Sequence, residues 1–422
     1  MINIHYDNES LPKLYRIKRT WKSQVIEDPE PVVAAGIAQY KDRIKPGMRI
    51  AVCAGSRGIY NYKRIIKSIV DAVKSYGAQP YIIPAMGSHG GATAEGQVEM
   101  LNSYGITEEY TGAPVLSSME TVVLGKVTEN TNVYLDKNAY GMDGIIMCNR
   151  VKVHTDFSGE IESGLCKQCV IGLGKQKGAS SIHRNGIYGL KHLIPKAAKI
   201  IIEKAPILMG IAILENFQDK TAKLEVVPAE NFLTREPELL IESKKLMPSL
   251  PTLDLDVLVI QEMGKNISGT GMDPNIIGRY GIRANKDVEN GPRSVAVLDL
   301  TDESHHNALG VGMADVISRK LWEKIDLVPT YMNTLTSGFL TRCAIPCVAD
   351  SDKQVIIIAM NSCNRIVTPD SIRMIFARNS LQIVDLVVSE ALLPELRQME
   401  DVEILDEVQP QWDEKDNLVP FF

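Results

Sequence analysis

Short apolar runs alternate with amphipathic segments along most of the chain. The run Arg49–Cys53 is typical of a buried strand, and apolar residues at helical spacing follow it between Arg64 and Tyr76. The alternation continues, with further strands predicted at Tyr81–Ile83 and Gly144–Cys148 and further helices predicted from Thr93 and over Leu190–Lys204. Strands that alternate with helices pair in parallel within βαβ units, so the pattern predicts an α/β fold with mainly parallel sheets.

The alternation is interrupted at Met247–Asp256, where two prolines separate a charged helix from a new apolar run. We therefore predict two α/β domains, residues 1–250 and residues 251–422, with the active site in the cleft between them. In the second domain the alternation resumes with strands at Val257–Ile260 and Ser294–Leu298, a helix from about Leu309, and further elements at Val355–Ile358, Ser371–Arg378 and Ile383–Val388. The acidic tail beyond Glu400 is expected to stay loose or to dock on the first domain.

Composition limits the classes of function. The 422 residues carry a formal net charge of −6 and have a pI near 5.8, so neither nucleic acid nor an anionic membrane is expected as a partner. We expect no signal peptide and no membrane-spanning segment, and therefore a cytoplasmic protein. The seven cysteines are scattered over a long chain, which suits a reducing compartment better than a disulfide framework.

Polar loops follow several of the predicted strands, and in open α/β sheets ligands bind beyond the carboxyl ends of strands. In the first domain, Ser56 and Arg57 follow one strand. His89 lies in a glycine-rich loop after the next strand, and His154 follows Gly144–Cys148. An arginine offers a planar fork for a carboxylate, and a histidine can exchange protons near neutral pH. Each residue alone has an ordinary structural explanation, but their convergence at one sheet edge indicates a site.

Two polar loops follow strands of the second domain in the same way. The glycine-rich loop Gly264–Asp273 contains Lys265, and the loop Ser304–Asn307 contains two adjacent histidines. Both loops could contribute to a binding site, and a long surface loop without a ligand explains either of them equally well.

A pair of cysteines, Cys166 and Cys169, admits three interpretations. It could be half of a zinc site, but the other closely spaced pair, Cys343 and Cys347, lies far away in the predicted second domain. It could be a redox pair, although thioredoxin-like motifs stand at the start of a helix after the first strand of a small domain. We favour the third interpretation, in which both are small apolar residues on a buried helix face.

Three lysines near these cysteines are candidates for ligand binding. Lys175 and Lys177 belong to the glycine-rich tract Gly172–Gly178, which would suit a phosphate although it matches neither a P-loop nor a dinucleotide-binding motif. Lys167 is flanked by apolar residues, and desolvation would lower its pKa and make its amine reactive. A lysine that extends from a helix edge into solvent would give the same pattern.

Together these residues resemble the nickel-dependent lactate racemase family. The family pattern has an arginine loop after an early strand, then Gly-x-His, then a histidine followed by Phe-Ser-Gly, and a lysine with a glycine five and a histidine sixteen residues after it. This chain has the same elements in the same order, namely Ser56-Arg57, Gly87-Ser88-His89, His154, Phe157-Ser158-Gly159, Lys167, Gly172 and His183. It departs from the pattern at Ala54, where an aspartate is expected, and in the extra residues Glu160–Cys166.

The resemblance implies that the chain binds a nickel pincer nucleotide, a pyridinium-3,5-bisthiocarboxylate mononucleotide. Lys167 would anchor this cofactor as a thioamide, and His183 would be the protein ligand of its nickel. The further cofactor contacts predicted from the chain are Ser56, Gly172, Lys175 and Lys177.

For the substrate, the resemblance implies that His89 and His154 are paired acid/base residues and that Arg57 binds a carboxylate. Lys265 is a candidate for the family's substrate-side lysine.

The implied activity is racemisation or epimerisation of a 2-hydroxy acid, lactate-like, larger or sugar-derived. The reaction would proceed by reversible hydride transfer to the cofactor through a planar 2-keto acid. The expected partners are the small acid and the enzymes that make and load the cofactor. Another redox or lyase reaction on the same cofactor stays an alternative, as does a non-catalytic protein that binds a nucleotide or a divalent metal.

Overall fold

The computed structural model describes residues 10–56, 58–282, 285–363, 365 and 368–422. The strands of these residues are, in chain order, β1 (Leu14–Arg19), β2 (Arg49–Ala54), β3 (Gln79–Pro84), β4 (Thr121–Thr128), β5 (Thr131–Asp136), β6 (Gly144–Arg150), β7 (Ile207–Glu215), β8 (Thr221–Pro228), β9 (Val257–Ile260), β10 (Ser294–Val297), β11 (Val316–Ser318), β12 (Cys347–Ala349), β13 (Met374–Ala377), β14 (Asp385–Ser389) and β15 (Val402–Val408).

The α-helices of the same residues are α1 (Pro29–Ala38), α2 (Tyr62–Ser75), α3 (Ala94–Ser103), α4 (Glu108–Thr111), α5 (Lys137–Tyr140), α6 (Leu165–Lys167), α7 (Lys175–His183), α8 (Gly186–Tyr188), α9 (Ile194–Lys204), α10 (Phe232–Leu246), α11 (Pro274–Ile277), α12 (Arg319–Lys324), α13 (Leu327–Ser337), α14 (Asp352–Asn361) and α15 (Leu393–Leu396). None of these helices combines the length and the apolar character that a membrane crossing requires.

The chain divides into two compact units. One is Ser23–Met247, and the other combines the residues up to Lys22 with Pro248–Phe422. Both contain mainly parallel sheets flanked by helices, which confirms the predicted α/β class.

The unit Ser23–Met247 is built on a five-stranded sheet of order β3-β2-β6-β7-β8, in which only β8 is antiparallel to its neighbour. The chain runs from β2 to β3 on one side and returns to β6 on the other side. The strand order therefore reverses between β2 and β6, and in open sheets such a switch point opens a crevice at the carboxyl ends of the strands.

Each face of this sheet is covered by its own apolar cluster. Ile50 and Val52 pack on the side of α2, whereas Ala51 and Cys53 pack on the opposite side with α9. Successive side chains of a strand point to opposite faces, so an unbroken apolar run such as β2 can be buried on both. The predicted helical spacing of α2 has the same cause, since its buried residues include Ile65, Ile66, Ile69, Val70 and Val73.

The second unit has an eight-stranded sheet of order β12-β11-β10-β9-β13-β14-β1-β15. The strands from β12 to β13 are parallel, and β14, β1 and β15 are antiparallel to their neighbours. The predicted boundary assigns the N-terminal residues to the first domain, but β1 instead pairs with β14 and with β15 of the C-terminal tail. Strand pairing over such a separation leaves no local signal in the sequence.

The structure specifies one local prediction for this unit and corrects another. The apolar run Val355–Ile358 lies inside α14, which Ser351 caps through its side chain; a short apolar run fits a buried helix as well as a strand. No helix of the described residues begins at Leu309. Gly310 has a φ of +100°, and a 3₁₀ turn then leads into β11.

Candidate functional site

Gln168 fills the gap at the switch point of the first sheet. The pairing of β2 with β6 ends at Val52 and Ile146, so on the β2 side the backbone of Cys148 lies beyond the last paired residues. The side chain of Gln168 donates to the Cys148 carbonyl at 2.8 Å and accepts from the Cys148 N–H at 3.1 Å. A buried peptide group needs such partners. Gln168 thereby fixes the residue before it, Lys167, at the carboxyl edge of the sheet.

A buried carboxylate caps the helix that carries Lys167. Glu236 accepts the N–H of Cys166 at 2.9 Å, at the first turn of α6. A Cβ at Gly164 would lie 2.5 Å from the Glu236 carboxyl carbon, so only glycine leaves room for this side chain. Burial raises the pKa of Glu236 from 4.5 to about 7. The free N–H groups of a helix start favour a carboxylate there, although complete burial opposes its charge.

The helix then continues as a π turn, Gln168–Gly172, against which the loop after β3 packs. The N–H of Gly87 donates to the carbonyl of Gly172 at 3.0 Å. A Cβ on Gly172 would come within 2.6 Å of the Ala85 carbonyl oxygen. Gly172 is therefore required by this close backbone approach, and no ligand is needed to explain it. The same approach places the His89 loop against the Lys167 helix.

His89 faces the loop after β2. Its Nδ1 lies 2.5 Å from the Ser56 hydroxyl, and Tyr104 donates to the Ser56 carbonyl at 2.6 Å. Gln97 stabilises the loop after β3, because its amide nitrogen donates to the carbonyls of Gly87 at 3.0 Å and of His89 at 3.3 Å. The predicted convergence of the β2 and β3 loops is therefore present in the structure.

Lys175 is built into the interior of this unit. Its side chain is fully buried, and its ammonium donates to the carbonyl of Pro84 at 2.5 Å and to Gln97 at 3.0 Å. It also lies 3.2 Å from the carboxylate of Asp136. Burial lowers the pKa of Lys175, and the Asp136 charge opposes that shift. Because its donors are used within the core, we do not assign Lys175 to phosphate or cofactor binding.

The loop that carries His154 is closed by a short bridge and a buried carboxylate. Lys152 and Ser163 exchange backbone hydrogen bonds of 2.9 Å and 3.2 Å. Glu162, which is 2% exposed, accepts the N–H groups of His154 at 2.6 Å and Gly159 at 3.0 Å. The extra residues before Lys167 thus close the loop and begin α6.

The ring of His154 is oriented within this loop. It packs on Phe157 with a centroid separation of 4.6 Å, and its Nδ1 accepts the N–H of Asp156 at 3.1 Å. A backbone N–H can only donate, so neutral His154 carries its proton on Nε2. The Asp156 carboxylate lies 3.9 Å from the same Nδ1.

His183, at the end of α7, belongs to the same electrostatic cluster. Partial desolvation lowers the pKa of His183 although the residue is exposed at the surface, the Lys167 ammonium lowers it further, and Asp156 opposes both effects. Lys167, His183, Asp156 and His154 therefore influence one another at the sheet edge. A lowered pKa keeps the imidazole neutral near pH 7, which is the form that ligates metals. We call these four residues the lysine–histidine cluster.

Three predicted residues remain. Arg57 is outside the described residues. Lys177 is exposed on another face of α7. Lys265 belongs to the other unit, where its N–H donates to Ser304 at 2.9 Å and its ammonium to the Gly269 carbonyl at 2.6 Å, so the two polar loops of that unit contact each other. Its participation in catalysis stays a prediction.

The cysteines of the segment are interior residues. Cys166 and Cys169 are both fully buried, and burial raises the pKa of each thiol well above its usual value. Across the described ranges, no three His, Cys, Asp or Glu side chains are grouped so that they could hold a metal ion.

Sequence reasoning missed Asp156, Gln168, Glu162 and Glu236. Glu162 has a local sequence much like that of exposed Glu160, and Glu236 lies in a charged helix far along the chain. The one available hint was Gly164, a glycine directly before an apolar helix start, because a missing side chain can mark a close neighbour.

Comparison with known proteins gives a limited result. No protein-family model and no curated protein matches the chain. Among solved structures, the lactate racemase apoprotein from Thermoanaerobacterium thermosaccharolyticum is similar, with 12% identity and a TM-score of 0.48 over 83% of this chain and 86% of that chain. A likeness of this degree assigns neither an activity nor a site residue.

Proposed function

We propose that the chain is a 2-hydroxy acid racemase or epimerase whose Lys167 carries a nickel pincer nucleotide. The observation that carries the proposal is the lysine–histidine cluster. Lys167 and His183, sixteen residues apart, influence each other electrostatically on one interrupted helix, and Asp156 links them to His154. The helix lies at the switch point of the sheet, where α/β proteins commonly bind nucleotides.

The chemistry of these residues fits a lysine-anchored cofactor with a histidine metal ligand. Lys167 is half-buried beside a histidine whose pKa is lowered, so the imidazole lone pair is available to a metal. Acylation of Lys167 would remove its positive charge and with it the repulsion of a cation bound at His183. When bound, the cofactor would supply sulfur donors to nickel and a ring able to accept two electrons from the substrate C2–H bond.

His89 and His154 differ in which ring nitrogen their hydrogen bonds allow to carry the proton. The Ser56 hydroxyl can donate or accept, so His89 can hold a proton on Nδ1 and present a basic Nε2 to the substrate hydroxyl. His154 presents an Nε2–H, which suits donation to a keto oxygen. For His154 to become a base, its Nδ1 would have to turn from the Asp156 N–H to the Asp156 carboxylate. We propose that this switch lets either enantiomer find a base.

Arg57 is proposed as the group that binds the substrate carboxylate. In the sequence it directly follows Ser56, whose hydroxyl contacts His89. Bidentate binding of the carboxylate would keep the acid in place while C2 becomes planar and then inverts.

The test is intact mass and nickel content after co-expression with cofactor-making enzymes. We expect a covalent adduct and about one nickel per chain for the wild type. Lys167→Arg should lose both, His183→Ala should keep the adduct and lose nickel, and the matched control Lys196→Arg, on an exposed lysine of α9, should resemble the wild type. A wild-type chain that stays unmodified, or an adduct that persists in Lys167→Arg, refutes the proposal. Loaded protein is then screened on 2-hydroxy acids by loss of optical rotation.

A further inference from the structure

A second concave site lies on the other side of α7, against the hairpin that β4 and β5 form by antiparallel pairing. The cavity has a volume of about 530 Å³. Ten residues line it, and none of them is acidic although the chain carries 52 acidic residues. The residues that matter below are Asn132, Tyr134, Lys177, Ser180 and Arg184.

Two cations of this pocket have no protein partner in the part of the chain that the structure describes. Lys177 in α7 and Arg184 directly after its end are both exposed, seven residues or roughly 10 Å apart along the helix axis. Within the described residues neither forms a hydrogen bond or an ion pair. Glu120, whose pKa Lys177 helps to lower, is already bonded to Lys137 at 2.7 Å. Two like charges facing one cavity repel each other unless an anion lies between them.

The walls of the pocket are fixed to each other. Ser181 donates to the Asn132 carbonyl at 2.9 Å, and Asn185 donates to the Thr131 hydroxyl at 3.3 Å. These bonds tie α7 to the hairpin, so the pocket exists before any ligand enters. A preformed pocket requires less ordering on binding. Ser180, which lies between Lys177 and Arg184 in the sequence, also lines the pocket. The half-buried ring of Tyr134 forms part of the wall.

We propose that this pocket binds a phosphate monoester, with the phosphate between Lys177 and Arg184 and the organic part against Tyr134. Arginine matches phosphate geometry with two parallel hydrogen bonds and lysine adds a point charge, which together suit a dianion better than a single carboxylate. The volume is that of a small-molecule site and exceeds what free phosphate would fill. This site is separate from the lysine–histidine cluster and does not depend on the proposed racemase activity.

The test is equilibrium binding of inorganic phosphate and of adenosine monophosphate to the full chain. All proteins carry Lys167→Arg, so that cofactor loading cannot influence the result. The test variant is Lys177→Gln/Arg184→Gln, and the control is Lys196→Gln/Lys199→Gln, which removes two exposed charges from α9. We expect saturable binding of the nucleotide to the parent and the control, and at least a roughly 10-fold weaker affinity in the test variant.

Tyr134→Leu distinguishes the two ligand sources. It should weaken binding of the nucleotide and leave binding of inorganic phosphate unchanged if the ring contacts the organic part. If Tyr134→Leu weakens the binding of adenosine monophosphate and of inorganic phosphate by the same factor, the pocket is assigned to free phosphate and the proposal of a phosphate monoester is overturned. Binding that is equal in parent and Lys177→Gln/Arg184→Gln, or that does not saturate, would show an adventitious ion only and overturn the site.

Discussion

Replacing Lys175 by methionine should destabilise the unit Ser23–Met247 severely. Methionine has a similar length, so packing is largely kept while the charge is lost. The substitution leaves the carboxylate of Asp136, which is 0% exposed, without its cation, and removes the donor to Gln97 at 3.0 Å. Breaking a buried ion pair from one side costs about 3–5 kcal/mol, because the remaining charge stays buried and unpaired.

The loss should depend on pH with a definite sign. Burial raises the pKa of Asp136, and the Lys175 ammonium opposes that shift. Without the ammonium the pKa of Asp136 rises further, so protonation in the folded state becomes easier than in the unfolded chain. A raised carboxyl pKa stabilises the fold at low pH and ceases to do so as pH rises through the folded-state pKa. The free energy of unfolding of Lys175→Met should therefore be lowered most at neutral pH, and part of this loss should be recovered as the pH falls.

Urea unfolding followed by far-UV circular dichroism measures the loss. All three tryptophans, Trp21, Trp322 and Trp412, belong to the other unit, so their fluorescence records that unit separately. Lys177→Met, on an exposed lysine two positions away, is the control and should change the free energy of unfolding by less than about 0.5 kcal/mol.

A double-variant cycle provides the refutation. Lys175→Met/Asp136→Asn removes both charges and keeps the side-chain oxygen that accepts the N–H of Ala139 at 2.8 Å, so it should be more stable than Lys175→Met by about 2 kcal/mol. A loss below about 1 kcal/mol for Lys175→Met, or strict additivity in the cycle, would show that the ion pair does not hold this core together.

Four further outcomes are expected. Gln168→Leu should cost about 1–3 kcal/mol in urea unfolding, because it strands the buried N–H of Cys148 and leaves the Cys148 carbonyl only the Tyr62 hydroxyl at 3.3 Å; a loss near zero would contradict the bridging role. The free energy of unfolding of Glu236→Gln, measured relative to wild type, should rise by about 2–3 kcal/mol from pH 5 to pH 8. The reason is that a carboxyl whose pKa is raised to about 7 weakens the wild-type fold as it ionises. A difference that does not change with pH would refute this. Gly172→Ala should lower the free energy of unfolding by about 1–3 kcal/mol without any ligand present. Gly58→Ala should leave it unchanged, because a Cβ added at Gly58 meets open space. Nitrogen NMR should show neutral His154 protonated at Nε2, and a proton at Nδ1 would remove the assigned donor role.

The α/β class and the order of elements in the first unit could be predicted from the sequence. Burial leaves a local record in such segments, as the helical spacing of α2 and the unbroken apolar run of β2 show. The rule that ligands bind beyond strand ends led to Ser56, His89 and His154, and the interval from Lys167 to His183 led to the cluster. These signals are local because each depends on residues within one element or on a spacing along one helix.

The tertiary structure alone decided the roles of the supporting residues. Lys175 and Lys177 look alike in the sequence, yet one is enclosed by Pro84, Gln97 and Asp136 and the other faces an open pocket. The partners of Lys175 come from three elements 39 to 91 residues away, so no local pattern records them. Burial of a charge depends on what surrounds it in space, and for that physical reason the strands β1 and β15, the cap at Glu236 and the buried lysine could be found only in the folded chain.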